Sequence, residues 1–187
     1  MRLILVRHGE SSEGNDPPLT EKGNKQARLV ARSLSLKPDK IYVSSATRAK
    51  QTYEHYARIH NPHCEIVITD LAKEIYRAIV GGPEKLCTDP QREPDDLTRI
   101  SSFLEELRSQ EGNILVFAHG NVIRFVISRL AGIADENLWE NMRIDCASIS
   151  ILERVDTGFS VHIVNEVSHF SDRSETGSTL STPTQDD

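Results

Sequence analysis

Leu5-Val6-Arg7-His8-Gly9-Glu10-Ser11 decides how the rest of the chain is read. It closes a short apolar run, Leu3 to Val6, that stops at Arg-His-Gly. β-Formers ending in glycine and small polar residues predict a buried strand running into a turn. The turn presents Arg7 and His8 at the carboxyl end of a strand, the edge where open α/β sheets bind ligands. Two further stretches have the same form. Ile114-Leu115-Val116-Phe117-Ala118 runs into His119-Gly120-Asn121 and an apolar helical pattern, and Ile41-Tyr42-Val43 runs into Ser44-Ser45-Ala46-Thr47-Arg48. If these strands are neighbours, Arg7, His8, Arg48 and His119 converge on one pocket. Such a pocket suits a dianion, and a phosphoryl group is the obvious one.

The whole chain sets bounds on this reading. Its 187 residues suit one domain with a sizeable core. A net charge of −6 argues against a general nucleic-acid binder, so the positive charge should be local to the pocket. Three widely spaced cysteines, Cys64, Cys87 and Cys146, form neither a disulfide framework nor a zinc cluster. The chain begins directly on strand residues, and no apolar run approaches the ~20 residues of a membrane span. The expectation is therefore a cytoplasmic protein with no membrane partner.

In chain order, the pattern predicts a strand over 2–7 and a polar loop over 8–18. A helix follows from Thr20, with Ala27, Val30, Ala31 and Leu34 on its apolar face. Next come a strand over 40–44, a helix from about residues 45–47 to His60 stopped by Asn61-Pro62, and a short strand at Glu65–Ile68. Residues 80–95, with Gly81-Gly82-Pro83, Pro90 and Pro94, read as an irregular excursion. Leu97, Ile100, Phe103, Leu104 and Leu107 mark a helix from Asp95. After the strand at 114–118, helices are expected at 121–131 and 135–141. Strands at 146–153 and 159–165 are joined by Asp156-Thr157-Gly158. Alternating strands and helices give a three-layer α/β/α domain with a mostly parallel central sheet and an antiparallel edge. It spans 1–170. Residues 171–187 are almost without apolar side chains and read as a disordered polar tail.

The chain resembles the histidine phosphatase superfamily, the phosphoglycerate-mutase-like family. Leu-Val-Arg-His-Gly-Glu-Ser matches its signature. Pro18-Leu19-Thr20 with Gly23 and Gln26-Ala27 matches the next block, Ser44-Ser45-Ala-Thr-Arg48-Ala-Lys-Gln51-Thr52 the third, and Ala118-His119-Gly120-Asn121-Val-Ile-Arg124 the fourth. One Arg-His-Gly could arise by chance. Four blocks in order, each at an element boundary, are specific, and they extend from residue 2 to about 170.

The resemblance implies a phosphohistidine on His8, the chemistry of a neutral imidazole whose other nitrogen donates to a backbone carbonyl. A lone histidine there would more simply cap a turn. Gly9 is expected to let backbone approach the phosphate. Arg7 and Arg48 offer planar, two-pronged donation to phosphate oxygens, with a helix N-terminus at Arg48 adding donors. His119 is expected to donate to a phosphoryl oxygen as a cation, and Asn121 to add a backbone N–H. Phosphomonoester cleavage to an alcohol needs a proton donor. Leu71-Ala72-Lys73-Glu74 resembles the family block carrying a glutamate, which puts the acid on Glu74, with Asp70 as the alternative. Many members have an asparagine seven residues after the first arginine. Here that place is Gly14, and Asn15 stands one further on, the candidate phosphate ligand of a longer loop.

The excursion after Glu74 is shorter than in the mutases, and its obvious carboxylate ligands are Arg77 and Lys85. An open pocket favours hydrolysis over retention of the intermediate. The function expected is a phosphatase hydrolysing phosphomonoesters without metal or cofactor, acting on small phosphate esters or phosphoproteins. Ala118–Arg124 and the Leu71–Glu74 region resemble the protein-phosphatase branch, whereas Val164–Phe170 resembles small bacterial phosphatases of broad specificity. The alternatives are a phosphoglycerate-type mutase and a non-catalytic phosphate-binding module.

Overall fold

A computed structural model of the chain describes residues 1–75, 93–133 and 141–170. Six strands form one sheet: β1 (Arg2–Arg7), β2 (Lys40–Ser44), β3 (Glu65–Thr69), β4 (Asn113–Ala118), β5 (Ile149–Val155) and β6 (Gly158–Glu166), in the order β3-β2-β4-β1-β5-β6. The first four are mutually parallel, and β5 and β6 add an antiparallel edge. The central strands are continuous apolar runs because both faces of the sheet are covered.

The alternation of side chains along each strand assigns the helices to faces. Ile4, Val6, Ile41, Val43, Leu115 and Phe117 pack against α1 (Glu21–Ser33) and α2 (Thr47–His60) through Val30, Ala31, Leu34 and Tyr56. Leu3, Leu5, Tyr42, Ile114 and Val116 face the other way, onto α3 (Glu93–Arg108) and α4 (Gly120–Ala131) through Ile100, Phe103, Leu107, Val122 and Val126. These are the three layers. Thr20 caps α1, its side chain accepting the Gly23 N–H at 2.9 Å.

Most element boundaries fall where the pattern puts them. One does not: residues 146–148 are a turn rather than the start of β5. Ala147 has φ 54°, and Ser148 N–H donates to the Asp145 carbonyl at 3.1 Å. Small residues in an apolar setting looked like strand, but here the chain folds back beside β1. The Ala147 N–H donates to the His8 carbonyl at 3.0 Å, and the Arg7 N–H to Ser148 O at 3.1 Å. Phe170 is buried in the core on the α1/α2 face. The Gly-Gly-Pro excursion with Arg77 and Lys85, Cys87, nearly all of the helix expected at 135–141, and the tail at 171–187 lie outside the described residues. Among the described residues, no helix is long and apolar enough to cross a membrane.

Candidate active site

Because β2, β4 and β1 are adjacent, their carboxyl ends bring together residues that lie far apart in the chain. His8 follows β1 and its N–H donates to Ala118 O at 3.0 Å, so His8 and His119 leave the sheet side by side. Their ring centroids are 5.0 Å apart, at 64°. Arg48, in the first turn of α2, donates from Nε to His8 Nε2 at 3.1 Å. His8 Nδ1 lies 2.6 Å from Gly9 O. A carbonyl only accepts and a guanidinium only donates, so the ring proton sits on Nδ1 and the Nε2 lone pair faces the pocket. Burial first, then the charges of Arg7 and Arg48, push the His8 pKa well below its usual value.

His119 is fully buried. Its Nε2 is 2.8 Å from Ser44 Oγ. Burial, then His8 and the two arginines, hold its pKa well below normal. The expected cationic form donates to a bound phosphoryl oxygen; with no anion bound, a low-dielectric site already holding two guanidinium groups disfavours that charge. The Ser44 hydroxyl can donate to Nε2 or accept from it, and the tautomer in which it donates carries the ring proton on Nδ1. Among the described residues, the buried polar atoms without a hydrogen-bond partner are that Nδ1, Arg7 Nε and Ser148 Oγ. Arg7 is anchored through Nη1 to Ile144 O at 2.5 Å and packs over Gly120, where a Cβ would meet it in ordinary contact and crowd Arg124.

Glu74 comes from a different element. The end of β3 passes into a one-turn 3₁₀ segment, Asp70–Ala72, that delivers Glu74 to the N-terminus of α4. Its Oε1 accepts the Ile75 N–H at 3.1 Å and the Asn121 N–H at 3.2 Å. Burial raises its pKa, against the opposing charges of Arg7, Arg48 and Arg124. Asp70, the alternative acid, goes the other way. Exposed and bonded to Ser45 and Lys73, it has a lowered pKa and remains a carboxylate.

Three other residues expected to serve the phosphate are placed as follows. Asn15 is exposed and no contact joins it to the cluster. The loop turns so that Asp16 instead accepts the Thr47 N–H at 2.9 Å and its hydroxyl at 2.7 Å. Asp16 thereby caps α2, whose N-cap Ala46 has no side-chain oxygen. The first N–H of α2 is therefore spent on a carboxylate rather than left for a ligand. Asn121 likewise turns to the protein, its Nδ2 donating to Ile75 O at 3.1 Å and its N–H to Glu74. Gly9 is needed for packing: a Cβ there would run into the backbone of Gly23, and one on Gly23 into Glu10.

The pattern also missed residues that hold the histidine loop. Gln26 Oε1 accepts the Glu10 N–H and Gln51 Oε1 the Leu19 N–H, each at 2.7 Å, and Thr52 Oγ1 accepts the Gly9 N–H at 3.1 Å. All three lie inside the recognised blocks, which was the available signal.

A family model described as the histidine phosphatase superfamily (branch 1) matches residues 3–85 and 93–167. Phosphoserine phosphatase 1 of Hydrogenobacter thermophilus is 31% identical over 185 residues, which span 81% of this chain and 86% of that protein. The mitochondrial serine/threonine-protein phosphatase Pgam5 of Drosophila melanogaster is 28% identical over 166 residues, covering 80% of this chain and 57% of that one. Among solved structures, Bacillus stearothermophilus YhfR matches with a TM-score of 0.74 at 23% identity, covering 90% of this chain and 98% of that one. The alpha-ribazole phosphatase of Shigella flexneri matches at 0.72, also with 23% identity, covering 89% and 96%. These two share the three-layer fold.

Proposed function

The chain belongs to the histidine phosphatase superfamily, branch 1, and is a phosphomonoesterase; on that premise we propose that it works in two steps through a phosphohistidine on His8. The observation that carries this reading is the tautomer of His8, with Nδ1–H tied to Gly9 O and the Nε2 lone pair directed at the pocket.

The substrate phosphate takes over the Arg48 N–H that His8 Nε2 now accepts, which frees the lone pair. Arg7 Nε and His119 Nδ1 supply the remaining donors, already placed where charge develops on the equatorial oxygens. Nε2 attacks phosphorus and the bond to the leaving oxygen breaks. Glu74, its pKa raised by burial, gives its proton to that oxygen. A water then attacks phosphorus and passes its proton to Glu74. The P–N bond breaks, and its electron pair returns to Nε2 with release of inorganic phosphate.

The substrate class is a phosphorylated hydroxyl compound. A relative named phosphoserine phosphatase, aligned along most of both chains, supports a small ester such as phosphoserine. The similarity to a protein phosphatase makes a phosphoserine peptide the comparison. The test is phosphate release from nitrophenyl phosphate, phosphoserine and a phosphoserine peptide, with chelator present. Wild type should turn over and His8→Ala should not, and acid-labile phosphate should be trapped on the wild-type chain alone. Equal turnover by His8→Ala rules the mechanism out.

A further inference from the structure

The turn that carries Glu74 is held from behind by one cation. From the first half of α3, the guanidinium of Arg99 reaches four carbonyls of that turn. Its Nη1 donates to the carbonyls of Asp70 at 3.0 Å, Leu71 at 3.2 Å and Lys73 at 2.7 Å. Its Nη2 donates to the carbonyl of Glu74 itself at 3.0 Å. Asp96, one helical turn earlier and buried, fixes the same nitrogen at 2.6 Å. A 3₁₀ segment of three residues satisfies few of its own carbonyls. A planar fork of five donors spans acceptors spread along a turn, which a lysine's three donors on one nitrogen cannot reach together. The carboxylate end of Glu74 is meanwhile held by the N–H groups of Ile75 and Asn121. The residue is thus fixed at both its backbone and its side chain.

We propose that Arg99, braced by Asp96, is a positioning residue for proton donation to the leaving group, acting through Glu74 and not on the phosphate. The inference rests on Glu74 being the acid. Proton transfer is sensitive to small displacements, so loosening the turn weakens it before it weakens phosphate binding. The effect therefore depends on the leaving group. A nitrophenolate departs without a proton, and an alkoxide does not.

The experiment is kcat/KM for phosphomonoesters spanning nitrophenyl, phenyl and alkyl leaving groups, because kcat/KM reports only the steps up to departure of the alcohol. Wild type, Glu74→Gln, Arg99→Lys, Arg99→Ala and Glu74→Gln/Arg99→Ala are compared. For Arg99→Lys the alkyl ester should lose about tenfold or more, a part of the 10²–10⁴ available to acid catalysis, while the nitrophenyl ester stays within about threefold. The double variant should lose no more on the alkyl ester than Glu74→Gln alone. If Arg99→Ala does not fold, Arg99→Lys decides. A loss of equal size across the series makes Arg99 a structural strut and overturns the inference. If Glu74→Gln itself shows no dependence on the leaving group, the acid assignment fails and takes the inference with it. A dependence in Glu74→Gln that is absent in both Arg99 variants rejects the inference alone.

Discussion

Two side chains in the pocket have pKa values displaced in opposite directions, and each shift suits the proposed role. His8 is pushed down by burial and two arginines, so its lone pair survives into acid. Glu74 is pushed up by burial, so its proton survives above the ordinary carboxylate range. The rate on an alkyl phosphate falls below the His8 pKa, where the lone pair is lost, and above the Glu74 pKa, where the proton is lost. We expect a bell-shaped profile bounded by those two groups, after allowance for ionisation of the substrate. Glu74→Gln should abolish the alkaline fall while leaving the acid limb in place. A profile whose alkaline limb is unchanged in Glu74→Gln would assign that limb elsewhere. Asn15 is the counterpart: exposed and joined to nothing in the cluster, it predicts that Asn15→Ala changes KM by less than about twofold. A tenfold rise in KM would put Asn15 back among the phosphate ligands.

At the scale of elements, the position of His8 depends on how closely a loop and a helix approach. Gly9 and Gly23 meet backbone to backbone, with no room for a Cβ on either. The Glu10 N–H and the Gly9 N–H are tied to α1 and α2 through Gln26 and Thr52. Gly23→Ala forces that contact apart. It should cost about 1–3 kcal/mol in urea unfolding, as overpacking does, and should lower kcat as well because Glu10 moves with its neighbours. Unchanged stability and activity would show that the approach is not tight in solution. Asp16→Ala removes the cap of α2 and should cost about 0.5–1 kcal/mol by the same measurement, the low end for an exposed cap. The strands and helices themselves were legible, because continuous apolar runs and period-3.6 faces persist whatever the tertiary context. Arg99 was not legible. Around it the α3 pattern marks Leu97, Ile100, Phe103, Leu104 and Leu107, of which Leu97 proves exposed, and every polar position between them looks equally solvated. That one of these polar residues reaches a turn 25–29 residues earlier is a fact of packing alone.

The whole molecule gathers cationic and titratable groups at one edge of the sheet, and this ties the site to stability. The gathering of Arg7, His8, Arg48 and His119 was readable from the chain because each stands just past an apolar run, and those runs became neighbouring strands. Its electrostatics were not, because the neutral state of His119 follows from the sum of burial and two neighbouring guanidinium groups. His8 and His119 bind a proton more readily in the unfolded chain than in the fold. The unfolded state thus takes up more protons below pH 6.5, and stability is lost as the pH falls through that range. Glu74 has the opposite sign, favouring the fold in acid, but it is one group against two. A dianion in the pocket changes the balance by making protonated histidines favourable. Sulfate is suitable because it stays a dianion throughout, and at a hundredfold excess over its Kd a ligand adds about 2.7 kcal/mol. Without sulfate, Tm should fall between pH 7.5 and 5.5. With it, the rise in Tm should be larger at pH 5.5 than at pH 7.5, and His119→Gln should reduce that difference. A rise of the same size at both pH values would mean that anion binding does not protonate the pair. The phosphate would then be held by Arg7 and Arg48 alone, with His119 contributing only as a neutral donor.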